Sequence, residues 1–141
     1  MGVYCFNLTI PKSTSQETPE RFEVQVHRGV VTRVMVDIPY GALGLVGVKI
    51  LSGEAQIFPT NAGEWFTWYR TPGDFRLAYK TLGDPPILTV VGYNLDDTYD
   101  HTVRVVIEII TEEEAEAMLR LARATEGLFN MFRRLIFKTG E

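Results

Sequence analysis

The sequence predicts a mainly-β chain: an antiparallel β-sandwich of about eight strands, followed by one long C-terminal helix. Three observations predict it. Short apolar or alternating runs recur along residues 1–110, separated by clusters of Gly, Pro, Asn and Asp. No run among them has helical spacing. After Ile110 the apolar period changes from two to about 3.6. A jelly-roll or an immunoglobulin-like sandwich fits this pattern, with a closed barrel as the runner-up.

Val3–Ile10 alternates, with Tyr4, Phe6, Leu8 and Ile10 on one face, and Pro11 stops it. Cys5 is the single cysteine, so no internal disulfide exists. In an apolar strand with no partner in view, it reads as a buried, inert thiol. Lys12–Pro19 is a polar surface loop. Arg21–Arg28 alternates again, with Phe22, Val24 and Val26 facing in. Gly29 marks a turn. Val30–Ile38 follows, with Val30, Thr32, Val34, Val36 and Ile38 on one side. The tight Arg28-Gly29-Val30 connection predicts a hairpin between these two strands.

Pro39-Tyr40-Gly41 turns the chain into Leu43–Leu51, a buried strand whose Gly44 and Gly47 signal a bulge or a close approach. Glu54–Phe58 is a short strand ended by Pro59, and Glu64–Tyr69 is a dense aromatic patch. In Asp74–Tyr79, Phe75, Leu77 and Tyr79 share a face. Ile87–Tyr93 is nearly continuous apolar sequence, the mark of a strand covered on both sides. Thr102–Ile110 places Val103, Val105, Ile107 and Ile109 on one face, with His101 in phase. These last two are expected as central strands of an antiparallel sheet.

Thr111 and Glu114 form a capping box at the start of the helix, with glutamates in its first turn. The helix is expected over Glu112–Phe137, roughly 39 Å long if Gly127 does not break it. Met118, Leu121, Thr125, Leu128, Phe132 and Leu135 fall on a heptad a/d register. The chain thus divides into a β-sandwich domain over 1–110 and an amphipathic helix over 111–141, for oligomerisation or partner binding.

The net charge of −4 excludes a chain built as a whole to neutralise phosphates, so no nucleic-acid partner is expected. No signal peptide and no membrane-spanning run are expected either. Two histidines at no ligand spacing leave no metal site or cofactor to expect, and no catalytic residues assemble. His101 near Asp96, Asp97 and Asp100 has the ingredients of an oriented base, but a polar loop with a strand-initial His explains the same residues. The oxygen-rich loop Asn94–Asp100 has calcium-type ligands without EF-hand spacing; Asx turns explain it equally.

The aromatic patch and the helix carry the functional reading. Trp65, Trp68 and Tyr69 have the chemistry to stack on sugar rings or to anchor an interface. The helix must bury its apolar stripe on its own sandwich, on a neighbour or at a membrane surface, and its acidic first half argues against the last. Oligomer contacts are therefore expected at Leu121, Leu128, Phe129, Phe132, Leu135 and Ile136, with Trp65 and Trp68 secondary.

The segments LGLVGVKILSGEAQIFPTNAGEWF and GYNLDDTYDHTVRVVIEI, about half of the chain, resemble small jelly-roll-like β-sandwich structural proteins of bacterial and archaeal virus particles. The resemblance lies in short strands, glycine-rich turns, Asn/Asp loops and an aromatic edge, and carries no functional residues over. It implies a capsid, decoration or adaptor component, located in the virion or in the cytoplasm of the producing cell. The expected function is a non-enzymatic structural protein that forms a homo-oligomer and contacts other structural proteins. The alternative is a carbohydrate-binding module using the aromatic loop. A small enzyme on a cupin-like barrel is a third reading, for which two histidines are too few.

Overall fold

The computed structural model describes residues 1–138. Its elements are β1 (Gly2–Ile10), β2 (Glu20–Gln25), β3 (Val30–Asp37), β4 (Val46–Ser52), β5 (Ala55–Phe58), β6 (Gly73–Lys80), β7 (Ile87–Asn94), β8 (His101–Ile110) and α1 (Glu112–Lys138), with a 3-10 turn at Tyr40–Ala42. The last residues of the expected helical segment, 139–141, lie outside the described residues.

Strand pairing is nested. β1 pairs with β8, β2 with β7, β3 with β6 and β4 with β5, all antiparallel. The chain is in effect one long hairpin folded over on itself. Two further pairings, β3 with β8 and β4 with β7, close it into two four-stranded sheets ordered β1-β8-β3-β6 and β2-β7-β4-β5. Apart from β4–β5, each strand and its successor lie in opposite sheets. This is a jelly roll, which settles the choice between the two sandwich topologies.

The core lies between the sheets. On β8, alternation buries Val103, Val105, Ile107 and Ile109 completely while Thr102 and Arg104 face solvent. Facing them from the other sheet are Val46, Val48 and Ile50 on β4 and Leu88 and Val90 on β7. β7 is buried from Leu88 to Asn94, as its continuous apolar sequence requires. β7 and β8 are both interior strands, yet they belong to different sheets rather than to one. The Asn/Asp turn between them carries the chain across one end of the sandwich.

Three local expectations are corrected. The hairpin between the second and third strands does not form, because β2 lies in one sheet and β3 in the other. Gly29 makes the crossing. A Cβ built on it would stand 1.9 Å from the Ile110 carbonyl oxygen, so only glycine passes this close to β8. Its peptide N–H donates to Thr81 Oγ1 at 2.9 Å, and the Thr81 N–H donates to its carbonyl at 2.8 Å.

The inward face of β3 also changes. A bulge between Val31 and Arg33 shifts the register, so Val31, Val34 and Val36 enter the core instead of Val30 and Thr32. Thr32 turns aside and donates to Glu108 Oε1 at 2.9 Å. Finally, Cys5 is exposed, not buried. Tyr4, Phe6, Leu8 and Ile10 take the inner face of β1, so strict alternation sends Cys5 to the outer one.

Gly47 sits opposite Tyr93 in the β4–β7 register, and a Cβ there would meet the Tyr93 ring at 2.2 Å. The close approach signalled by this glycine is that of a ring rather than a backbone. Gly127 does not interrupt α1, which runs unbroken from Glu112 to Lys138.

Substituting Gly29→Ala is expected to cost about 3 kcal/mol or more, since the new methyl overlaps backbone that cannot yield cheaply. Urea unfolding of the variant against Gly127→Ala, a site with no atom near the added Cβ, measures the difference.

Candidate functional site

Two surfaces stand out. The first is α1. Thr111 Oγ1 accepts the Glu114 N–H at 3.1 Å, the N-cap half of the expected capping box. The root is tied to the sandwich by ion pairs: Lys80 Nζ lies 3.5 Å from Glu112, and the Met1 ammonium contacts Glu114. Cover ends there. Every residue from Glu116 to Phe137 is exposed.

Of the expected contact residues, Leu121, Leu128, Phe129, Phe132, Leu135 and Ile136 all lie on this uncovered helix, each between 51 and 68 % exposed. Met118, Leu119, Met131 and Phe137 join them. Met131 is a contact candidate that the sequence reading passed over; its spacing of three from Leu128 and four from Leu135 was the available signal. Folding back onto the sandwich, one of the three destinations open to the stripe, is not what the chain does. A single protein seldom leaves an apolar patch this long in water unless something covers it. No helix among the described residues is long and apolar enough to cross a membrane.

The second surface is an aromatic groove at the β5–β6 edge of the sandwich. β5 is only four residues long, and beyond it the chain returns to β4 at Phe66. Phe66 and Val48 exchange two backbone hydrogen bonds of 2.9 Å, which drives the Phe66 ring into the core. Alternation then separates the two tryptophans. Trp68 packs on Phe66 and Phe75 at centroid distances of 5.4 and 5.3 Å and stays 53 % exposed. Trp65 instead lies against Tyr93 at 4.8 Å, edge to face, with Lys49 Nζ 4.2 Å from its ring centroid. The two tryptophans therefore pack on different neighbours, and Trp65 is half-buried.

The groove has a volume of about 420 Å³. Its walls include Phe58, Trp65, Trp68, Phe75 and Leu77, and Asn61, Glu64 and Arg76 supply polar groups. One rim is held by Gln56, a residue with no signal in the sequence. Its amide nitrogen donates to the carbonyls of Pro59, Asn61 and Glu64, and its oxygen accepts the Gly63 N–H. A single side chain thus stands in for a missing strand and keeps the loop 59–64 in shape.

The loop between β7 and β8 has its oxygens engaged by the protein. Asn94 is fully buried and its amide donates to the carbonyls of Ile10 and Tyr99. Asp96 accepts from the N–H groups of Thr98 and Tyr99 and lies 2.8 Å from His101 Nε2. Asp100 accepts the Lys12 N–H. Of the three aspartates near His101 in the sequence, Asp96 is the one that pairs with it, and both side chains are mostly buried. Among the described residues no group of three or more His, Cys, Asp or Glu side chains is placed to hold a metal ion. No protein-family model and no curated protein matches the chain.

The Thr98 N–H, then His101, hold the Asp96 carboxyl below its ordinary value of 3.8. Because the folded value is depressed, the stabilisation is complete above pH 3.8 and is lost as pH falls through the folded value. Stability measured against pH should therefore drop more steeply below that point for the native chain than for Asp96→Asn, and amide exchange at Thr98 should accelerate there.

Proposed function

We propose that this chain is a non-enzymatic structural protein that forms a homo-oligomer through α1 and builds a larger assembly. The observation that carries this reading is the uncovered apolar length of the helix from Met118 onward. The sandwich is complete without it: the buried core residues all precede Thr111. A helix that contributes nothing to its own core and exposes methionine, leucine and phenylalanine side chains to water gains most of its stabilisation from association.

The nature of the assembly comes from resemblance. The jelly roll is a fold with many uses, among them virus capsid domains, so the fold alone assigns none. Together with the likeness of its turns and strands to small structural proteins of virus particles, it supports a capsid, decoration or adaptor component, working in the virion or in the cytoplasm of the producing cell beside other structural proteins. The aromatic groove favours one second reading, carbohydrate binding, in which Trp68 stacks on a sugar ring and Asn61, Glu64 or Arg76 bind its hydroxyls. If that reading holds, glycan-array signal is present and is abolished by Trp68→Ala.

Light scattering of the full chain and of a truncation ending at Ile110 tests the assembly reading. The expected result is a defined oligomer for the full chain and a folded monomer for the truncation. Two monomers would overturn it and leave the groove as the functional surface.

A further inference from the structure

The reading above leaves open how many copies meet, and the distribution of side chains around α1 bears on it. Placing Met118, Thr125 and Phe132 at heptad position a puts Leu121, Leu128 and Leu135 at d. The flanking positions are apolar too. Position e holds Ala115, Ala122, Phe129 and Ile136; position g holds Ala117, Ala124 and Met131. The charged and amide side chains from Arg120 to Arg134 all fall on b, c and f. Leu119 and Phe137 are the exceptions on that side.

Positions e, a, d and g are neighbours around a helix and together cover an arc of about 150°. A two-stranded coiled coil buries mainly the a/d seam, and its e and g positions usually carry charges that face water and pair across the interface. Here a single partner would leave Phe129 on one flank and Met131 on the other in solvent, now 65 and 52 % exposed. A helix that touches two neighbours buries both flanks.

The area is consistent with this. Met118, Leu121, Leu128, Phe129, Met131 and Phe132 offer, at roughly 100 Å² each, on the order of 600 Å² per protomer before the last turn, against about 800 Å² per partner in a stable interface. Between Ala115 and Ile136 no acidic or basic residue occupies a, d, e or g; Glu114, at d one turn earlier, is engaged by the Met1 ammonium. Arg120, Arg123, Arg133 and Arg134 sit on the outer arc, where solvent and salt screen repulsion between copies.

We infer that α1 assembles with the same helix of at least two further copies of this chain, as a parallel bundle around a cyclic axis with the sandwiches together at one end. The inference rests on the proposed homo-oligomer and adds its order and polarity. Helices related by one rotation axis of three or more folds are necessarily parallel.

Sedimentation equilibrium of the full chain reads the order. Oxidation of a Cys5→Ser/Leu135→Cys variant reads the polarity, because position 135 meets its counterpart only in a parallel bundle. The expected result is a mass of three or more protomers, with covalent dimers on oxidation. The double substitution Phe129→Ser/Met131→Ser, confined to the flanks, should lower the mass at least to that of a dimer, whereas Arg133→Ala should leave it unchanged. A native dimer overturns the inference while the homo-oligomer stands. A larger oligomer without covalent dimers overturns the parallel arrangement. A monomer overturns both, and a monomer that partitions onto phosphatidylcholine–phosphatidylglycerol vesicles assigns the helix to a lipid surface instead.

Discussion

The constraint on which the structure depends is the exclusion of water from between the two sheets. Val103, Val105, Ile107 and Ile109 form a continuous dry stripe along β8. β8 is also the strand that joins β1 to β3, and hence the first strand of the chain to the middle of its sheet. β-branched side chains serve here because they lose little rotamer freedom when packed on a pleated surface. Each one fully buried contributes roughly 1.5–3 kcal/mol, so the stripe outweighs any polar contact at the surface. The Arg33–Asp74 ion pair that clasps β6 to β3, bidentate but exposed, adds only a fraction of that.

The same packing decides what is left over. Sheet against sheet fills the interior, but the edges remain thin. Phe75, Leu77 and Tyr79 on β6 are only half-buried, because β5 is too short to cover them. The loop 59–64, held by Gln56, and the Phe66 segment cover part of this edge and leave the aromatic groove. At the other end of the chain, α1 starts from the last strand of a finished sandwich and does not lie back on it. Its root is held by a cap and ion pairs, and from Glu116 to Phe137 every residue is exposed.

On the proposed self-association, folding and assembly of this segment would be linked. In proteins most of a helix's stability comes from packing of its apolar face, and α1 packs none of its 27 residues beyond the root on the sandwich. Burial of its apolar arc against other copies would stabilise the helix and the assembly together, and make the apparent stability of this segment depend on concentration. The sandwich, whose core precedes it, would not share that dependence.

Much of this was legible in the residues. Alternation located the strands, because side chains on a strand point to opposite faces whatever the sheet later contains. The capping box and the change of period located the helix, because caps and 3.6-residue spacing are local properties. Pairing was not legible. Arg28-Gly29-Val30 looks like a hairpin turn, and only the position of β8 shows that Gly29 crosses between sheets past the Ile110 carbonyl. The bulge in β3 moved Thr32 out of the core for a similarly non-local reason. Cys5 was misplaced although its own alternation with Tyr4 and Phe6 assigned it to the outer face. The six helix residues expected at an interface could be named from spacing alone, but their exposure could not. The sequence by itself determined which residues are apolar and at what period, which depends on chemistry along the chain. Which apolar faces found cover was decided by the tertiary structure, because cover is supplied by segments far away in sequence.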